Sequence, residues 1–135
     1  SVSFGHGSRI CIYPSGTLKF NGDFSNSTSM TIICCERITF GKHVLTSWDT
    51  LIMDSDLHST KNLITKEIYP QNAPVVIGDK FWICARSVIL KGSKLPNGSI
   101  LSSASVLTKK YDEENILLAG SPVIIKKRNI TLKLE

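Results

Sequence analysis

From Ile77 onward, large apolar residues recur every six positions. Reading in sixes gives IGDKFW, ICARSV, ILKGSK, LPNGSI and LSSASV, with a first column of Ile77, Ile83, Ile89, Leu95 and Leu101, continued by Leu107. The fifth column is Phe81, Ser87, Ser93, Ser99 and Ser105. An amphipathic helix would repeat at three and four residues, and a half-buried strand at two. A period of six arises when the chain makes a short strand, turns a corner and repeats. Three such sides close a triangular coil of about eighteen residues, and the coils stack at the inter-strand spacing of roughly 4.8 Å. The first column then fills the narrow core. The fifth also faces inward but lies near a corner, where a small side chain fits.

A second, less pure block starts at Phe40 and reads FGKHVL, TSWDTL, IMDSDL, with Phe40, Thr46 and Ile52 in the first column and Val44, Thr50 and Asp56 in the fifth. Upstream, Phe24 and Met30 fit the period loosely. Gly78, Pro96, Asn97 and Gly98 supply turn chemistry. The pattern predicts an all-β left-handed parallel β-helix, a hexapeptide-repeat solenoid forming one domain over residues 1–135. The right-handed form has longer and less regular rungs, so the clean period favours the left-handed one against the usual crossover rule.

Between the blocks the period slips, because Ile52 and Ile77 are not a multiple of six apart. The segment DSDLHSTKNLITKEIYPQNAPV carries the offset, predicting a loop thrown out of the coil over about residues 54–74. Loops on a rigid scaffold often carry function. In the C-terminal tail, 121–135, Ile130, Leu132 and Leu134 alternate with Thr131, Lys133 and Glu135, which predicts a terminal strand.

Hydrophobic residues make up 41% and charged residues 20% of the 135, an ordinary globular balance. The formal charge of +5 is scattered apart from Lys126, Lys127 and Arg128, and only 7% of residues are aromatic. Nucleic-acid binding would favour a basic stripe interleaved with aromatics, and a small anionic ligand suits the charge at least as well. No apolar run is long enough to span a bilayer, and no signal peptide opens the chain, so a cytoplasmic location is expected. The opening SVSFGHGSRI has no initiator Met and reads as mid-protein sequence, with further residues expected upstream. Cys11, Cys34, Cys35 and Cys84 lack metal-ligand spacing and read as reduced thiols. His6, His43 and His58 are widely spaced; His43 and His58 are the two that could approach each other, but with no third ligand evident no metal is expected.

The loop opens with Asp54, Asp56 and His58. A histidine of ordinary pKa, about 6.5, is the natural general base near neutral pH. A neighbouring carboxylate, Asp56 or Asp54, would fix its tautomer and steady the imidazolium. Trp82 offers a flat face near the loop, and Trp48 is a weaker candidate of the same kind. Phosphate-loop, nucleophile-elbow and H-E-x-x-H motifs are missing.

Two stretches resemble hexapeptide-repeat O-acetyltransferases, above all the bacterial enzymes that act on polysaccharides and sugars. VVIGDKFWICARSVILKGSKLPNGSILSSASVLTK, followed by ENILLAGSPVIIKK, is similar to their C-terminal half, and ITFGKHVLTSWDTLIMDSDLHS to the segment with their catalytic histidine. The resemblance covers roughly residues 38–128. It implies an acetyl-CoA-dependent acyltransferase acting on a saccharide hydroxyl in surface polysaccharide (capsule or O-antigen) biosynthesis, with His58 as general base and Asp56 as its companion. It implies that the Ala85 backbone N–H stabilises the oxyanion, and that Trp82, Ala85, Ser103, Ala119 and Gly120 contact acetyl-CoA, with Lys109, Lys126 and Lys127 near its phosphates. It also implies a homotrimer with each site between two subunits. Two departures touch the CoA site: Cys84 stands for the usual glycine after W-I, and SSAS for G-A-G-S at residues 102–105. The alternatives are an N-acetyltransferase of a nucleotide amino sugar and a non-catalytic β-helix scaffold.

Overall fold

The computed structural model describes residues 1–133, and no α-helix occurs among them. The chain forms a left-handed parallel β-helix with three sheet faces. Face 1 stacks Val2–Ser3, Phe24–Asn26, Val44–Thr46, Trp82–Ile83, Ile100–Leu101 and Ile116–Gly120, and ends in the antiparallel strand Val123–Arg128. Face 2 stacks Arg9–Ile12, Thr31–Cys34, Leu51–Met53, Val88–Ile89 and Val106–Leu107. Face 3 stacks Thr17–Phe20, Arg37–Phe40, Val75–Ile77 and Lys94–Leu95.

The expected coil appears from Ile77 onward, where Ile77 pairs with Leu95, Ile83 with Leu101 and Ile89 with Leu107, eighteen residues apart in each case. These six side chains are buried in the core, and burying each one fully is worth about 1.5–3 kcal/mol. Phe81 and the four serines of the fifth column are also buried. Size is not the only reason for those serines. Ser87 Oγ donates to Ser102 O at 2.9 Å and Ser93 Oγ to Leu107 O at 3.1 Å, while Ser99 Oγ accepts the Ile116 N–H at 3.2 Å and Ser105 Oγ the Gly120 N–H at 3.1 Å. Each hydroxyl ties its coil to the next.

The N-terminal coils are longer: Phe24 pairs with Val44, twenty residues on, and Ile10 with Ile32, twenty-two on. Phe4, Phe20, Phe24 and Phe40 cluster in this wider end, with the Phe20 and Phe40 rings stacked 5.0 Å apart. Corners turn through left-handed backbone. Ser29, Asp49, Arg86 and Ala104 have positive φ where face 1 meets face 2, and His43, Lys80 and Asn115 do so where face 3 meets face 1.

Two boundaries differ from the sequence expectation. The loop leaves the coil after Ser55, because Asp54 and Ser55 are buried at the coil wall. The C-terminal strand comes earlier than the Ile130–Leu134 alternation placed it. Val123–Arg128 folds back on Ile116–Gly120 and covers the last parallel edge of face 1. Residues 129–133 form no strand, although the Ile130 N–H donates to Asn115 O at 3.0 Å; Leu134 and Glu135 lie outside the described residues.

Candidate active site

His58 sits on the excursion between face 2 and face 3. The neck of this loop is pinned from several sides. Ser55 bridges Asn72, the Asp56 N–H donates to Gln71 O at 2.9 Å, and the Ala73 N–H donates to Asp54 O at 3.0 Å. Beyond it, Thr60–Lys61 and Ile68–Tyr69 form a small antiparallel hairpin whose tip exposes Leu63 and Ile64. Leu57, immediately before His58, has φ 61°, and its N–H donates to Ser55 Oγ at 2.9 Å. Left-handed backbone at a non-glycine residue costs about 1–2 kcal/mol and persists where its surroundings over-determine it. His58 is exposed and lines an open cleft of about 540 Å³ with Tyr13, Pro14, Ser15, Cys35, Leu57, Gln71 and Asn72. It has no hydrogen-bond or ion-pair partner among the described residues.

Neither aspartate pairs with this imidazole. The Asp56 carboxylate is bound by Lys91 Nζ at 2.7 Å, a nearby ammonium that takes the place expected for His58. Asp54 is fully buried, and its carboxylate accepts the N–H groups of Cys35 at 2.7 Å, Glu36 at 2.8 Å and Arg37 at 2.7 Å. It caps the corner between faces 2 and 3 in the coil below and is a structural group, not a companion base.

A second cleft, about 460 Å³, lies where face 1 meets face 2 and is lined by Trp48, Asp49, Ala85, Arg86, Ser103 and Ala104. It brings together Ala85 and Ser103, two residues singled out in the sequence. The Ala85 carbonyl accepts the Ala104 N–H at 3.0 Å, but its own N–H meets no acceptor among the described residues, leaving that donor available for an oxyanion. Ala119 and Gly120 stack above the same corner, because Leu101 pairs with Leu118 and the Ser102 N–H donates to Leu118 O. Beside Ala85, Cys84 is half-buried and burial raises its thiol pKa, so the thiol stays neutral and is a poor nucleophile near pH 7.

The other residues expected at the CoA site lie elsewhere. Trp82 is 36% exposed on the outside of face 1 and is not part of the Ala85 cleft, whereas Trp48, 58% exposed, is. Lys109 sits at the corner between faces 2 and 3, its ammonium 5.3 Å from the Tyr111 ring centre. Lys126 and Lys127 are on the outermost strand, Val123–Arg128. His43 occupies the corner between faces 3 and 1, 3.8 Å from Asp23, and does not approach His58. The His58 cleft and the Ala85 cleft therefore occupy different corners of the prism, one on each side of face 2.

Reading in sixes missed Arg86 and Lys91 and ranked Trp48 below Trp82. The missing signal is the coil register across the loop: Leu45 pairs with Trp82, which puts Trp48 level with Ala85 thirty-seven residues later. Lys91 binds the loop through space and leaves no mark in sequence.

No protein-family profile matches the chain. It is 28% identical, over 99% of its length and 76% of the relative's, to a protein of Escherichia coli K12 named as the lipopolysaccharide biosynthesis O-acetyl transferase WbbJ. It is 24% identical, over 74% of its length, to the galactoside O-acetyltransferase of Lactococcus lactis, of which it spans only 47%. The fold matches the polysialic acid O-acetyltransferase OatWY with a TM-score of 0.59 at 20% identity, covering 100% of this chain and 92% of that one. It matches a hexapeptide-repeat acetyltransferase of Vibrio cholerae complexed with acetyl-CoA with a TM-score of 0.62 at 21% identity, covering 93% and 71%. A third match, with a TM-score of 0.63 at 12% identity and covering 93% and 83%, is a variant of the N-acyltransferase AntD of Bacillus cereus in complex with dTDP-4-amino-4,6-dideoxyglucose and coenzyme A. In its repeat, its fold and its curated relatives, the chain resembles the hexapeptide-repeat O-acetyltransferases.

Proposed function

We propose that this protein transfers an acetyl group from acetyl-CoA to a hydroxyl of a saccharide in surface polysaccharide synthesis, with His58 as general base. The observation that carries this reading is the placement of His58: unpartnered, at an open cleft, on a strained turn held by the coil. The acceptor oxygen attacks the thioester carbonyl while the imidazole takes its proton. Charge on the carbonyl oxygen is met by the Ala85 N–H. The C–S bond then breaks, the CoA sulfur takes the proton from the imidazolium, and an acetyl ester and free CoA leave. Ser103, Ala119 and Gly120 line the path of the pantetheine arm, and Trp48 joins or replaces Trp82 as its aromatic wall. Lys126 and Lys127 are the candidates for CoA phosphate contacts, with Lys109 a more distant one.

His58 and Ala85 lie on different corners of one chain, so a site using both draws them from two subunits. A homotrimer with the His58 cleft of one chain against the Ala85 corner of the next satisfies this. The likeness to AntD supports a second reading, acylation of a nucleotide amino sugar, which uses the same two clefts.

A panel of acceptors separates the readings, with release of free CoA thiol from acetyl-CoA as the assay. Turnover with polysialic acid, maltose or a galactoside supports O-acetylation. Turnover with dTDP-4-amino-4,6-dideoxyglucose alone supports the second reading. Absence of acetyl-CoA binding at millimolar concentration would leave the non-catalytic scaffold.

A further inference from the structure

Lys91 follows Val88–Ile89 at the corner between faces 2 and 3, and the reaction as read above gives it no task. Its side chain is only 27% exposed. Its ammonium donates to Asp56 Oδ2 at 2.7 Å and to Pro70 O at 2.6 Å. Asp56 stands at the start of the excursion that carries His58, and Pro70 at its end. One cation on the rigid coil therefore grips both sides of the loop neck. A charge-assisted pair is stronger than a neutral hydrogen bond, and partial burial shields this one from solvent screening.

Leu57 alone separates Asp56 from His58, and it is the residue held in left-handed backbone. Fixing Asp56 and the Leu57 N–H fixes the direction in which the chain enters His58. The same grip occupies the carboxylate nearest His58 in sequence.

We propose that Lys91 is a positioning residue for the acyl transfer: it closes the neck of the loop, holds His58 at its cleft, and keeps the Asp56 carboxylate away from the imidazole. This inference rests on the general-base reading of His58.

The test compares Lys91→Met, Lys91→Arg, Asp56→Asn and His58→Ala in the full chain, assayed with acetyl-CoA and the acceptors named above. Amide hydrogen exchange over residues 55–72 is followed in parallel, because it needs no acceptor. Lys91→Met is expected to lower kcat by about tenfold or more. Its KM for acetyl-CoA should stay within about twofold of wild type, because the cofactor cleft is on another corner. Its Leu57 and His58 amides should exchange faster. Lys91→Arg should recover much of the loss, and adding Asp56→Asn to Lys91→Met should cost little more, since the Asp56–Lys91 pair is already lost in the single variant. Wild-type kcat and unchanged exchange in Lys91→Met, with His58→Ala inactive, would overturn the positioning role alone. Wild-type turnover in His58→Ala would overturn the general-base reading, and the positioning role with it.

Discussion

The buried carboxylate of Asp54 accepts the backbone N–H of Cys35 at 2.7 Å, from a residue nineteen positions earlier in the chain. Glu36 and Arg37 bond to the same carboxylate, so one side chain satisfies three amides at the corner of the coil below. Asp54→Asn removes the charge and replaces an acceptor oxygen with a donor that cannot bond those amides. A buried donor left unpaired costs about 1–3 kcal/mol, so the variant should lose about 2–4 kcal/mol of stability. Urea unfolding checks this; an unchanged midpoint would remove Asp54 from the structural frame.

Cys34 is fully buried beside Asp54, with its sulfur 3.7 Å from Oδ2. Burial, and then the negative charge of Asp54, push its thiol pKa up to about 11 from an ordinary 9.0. The folded state therefore holds the proton more tightly than the unfolded chain. The contribution is complete below pH 9 and is lost as pH rises towards 11. At about 1.4 kcal/mol per unit, stability should fall by up to about 3 kcal/mol across that window. Unfolding Cys34→Ala at pH 8 and pH 11 should give a smaller fall than the wild type. An equal fall in both would show that Cys34 is not the group responsible.

The serine column makes a sharper demand than small size. Ser99→Ala fits the space but leaves the buried Ile116 N–H without its acceptor, an expected loss of about 1–2 kcal/mol. Ser99→Val also adds volume to a packed corner and should cost about 1–3 kcal/mol more. Thermal unfolding of the two variants gives the order wild type, Ala, Val. A Val variant as stable as wild type would contradict it.

Most of the solenoid was legible because the inward column from Ile77 to Leu107 keeps one spacing in coils of eighteen residues. Upstream coils of twenty and twenty-two residues blur the same column, and Phe20, Phe24 and Phe40 fill the extra width. The alternation that begins at Ile130 was a true local pattern, but its described part, residues 130–133, pairs with no strand among the described residues. At the candidate site, His58 stood out in sequence because it lies where the period slips, while Ala85 and Ser103 came from the family resemblance; the structure puts Ala85 and Ser103 on one cleft and His58 on another. The sequence did not separate Asp54 from Asp56. Two residues apart in sequence, they differ because one faces the coil wall and the other meets Lys91, a contact made through space.

If the site is shared between subunits, two inactive variants should complement each other. His58→Ala spoils the base, and Ser103→Trp blocks the cleft on the other corner. Mixed by unfolding and refolding together, they should regain part of the wild-type turnover, since some interfaces pair an intact His58 with an intact Ser103. Separate refolding should regain none. Light scattering should give a mass near three chains. Mixtures as inactive as their parents, with a mass near one chain, would contradict a shared site.

The measurement closest to the central claim is His58→Ala beside the wild type, with acetyl-CoA binding by calorimetry and turnover on the acceptor panel. The variant should bind acetyl-CoA with the affinity of the wild type and show a kcat lower by about 100- to 10,000-fold, the usual range for a lost general base. Equal binding with wild-type turnover would contradict His58 as the base.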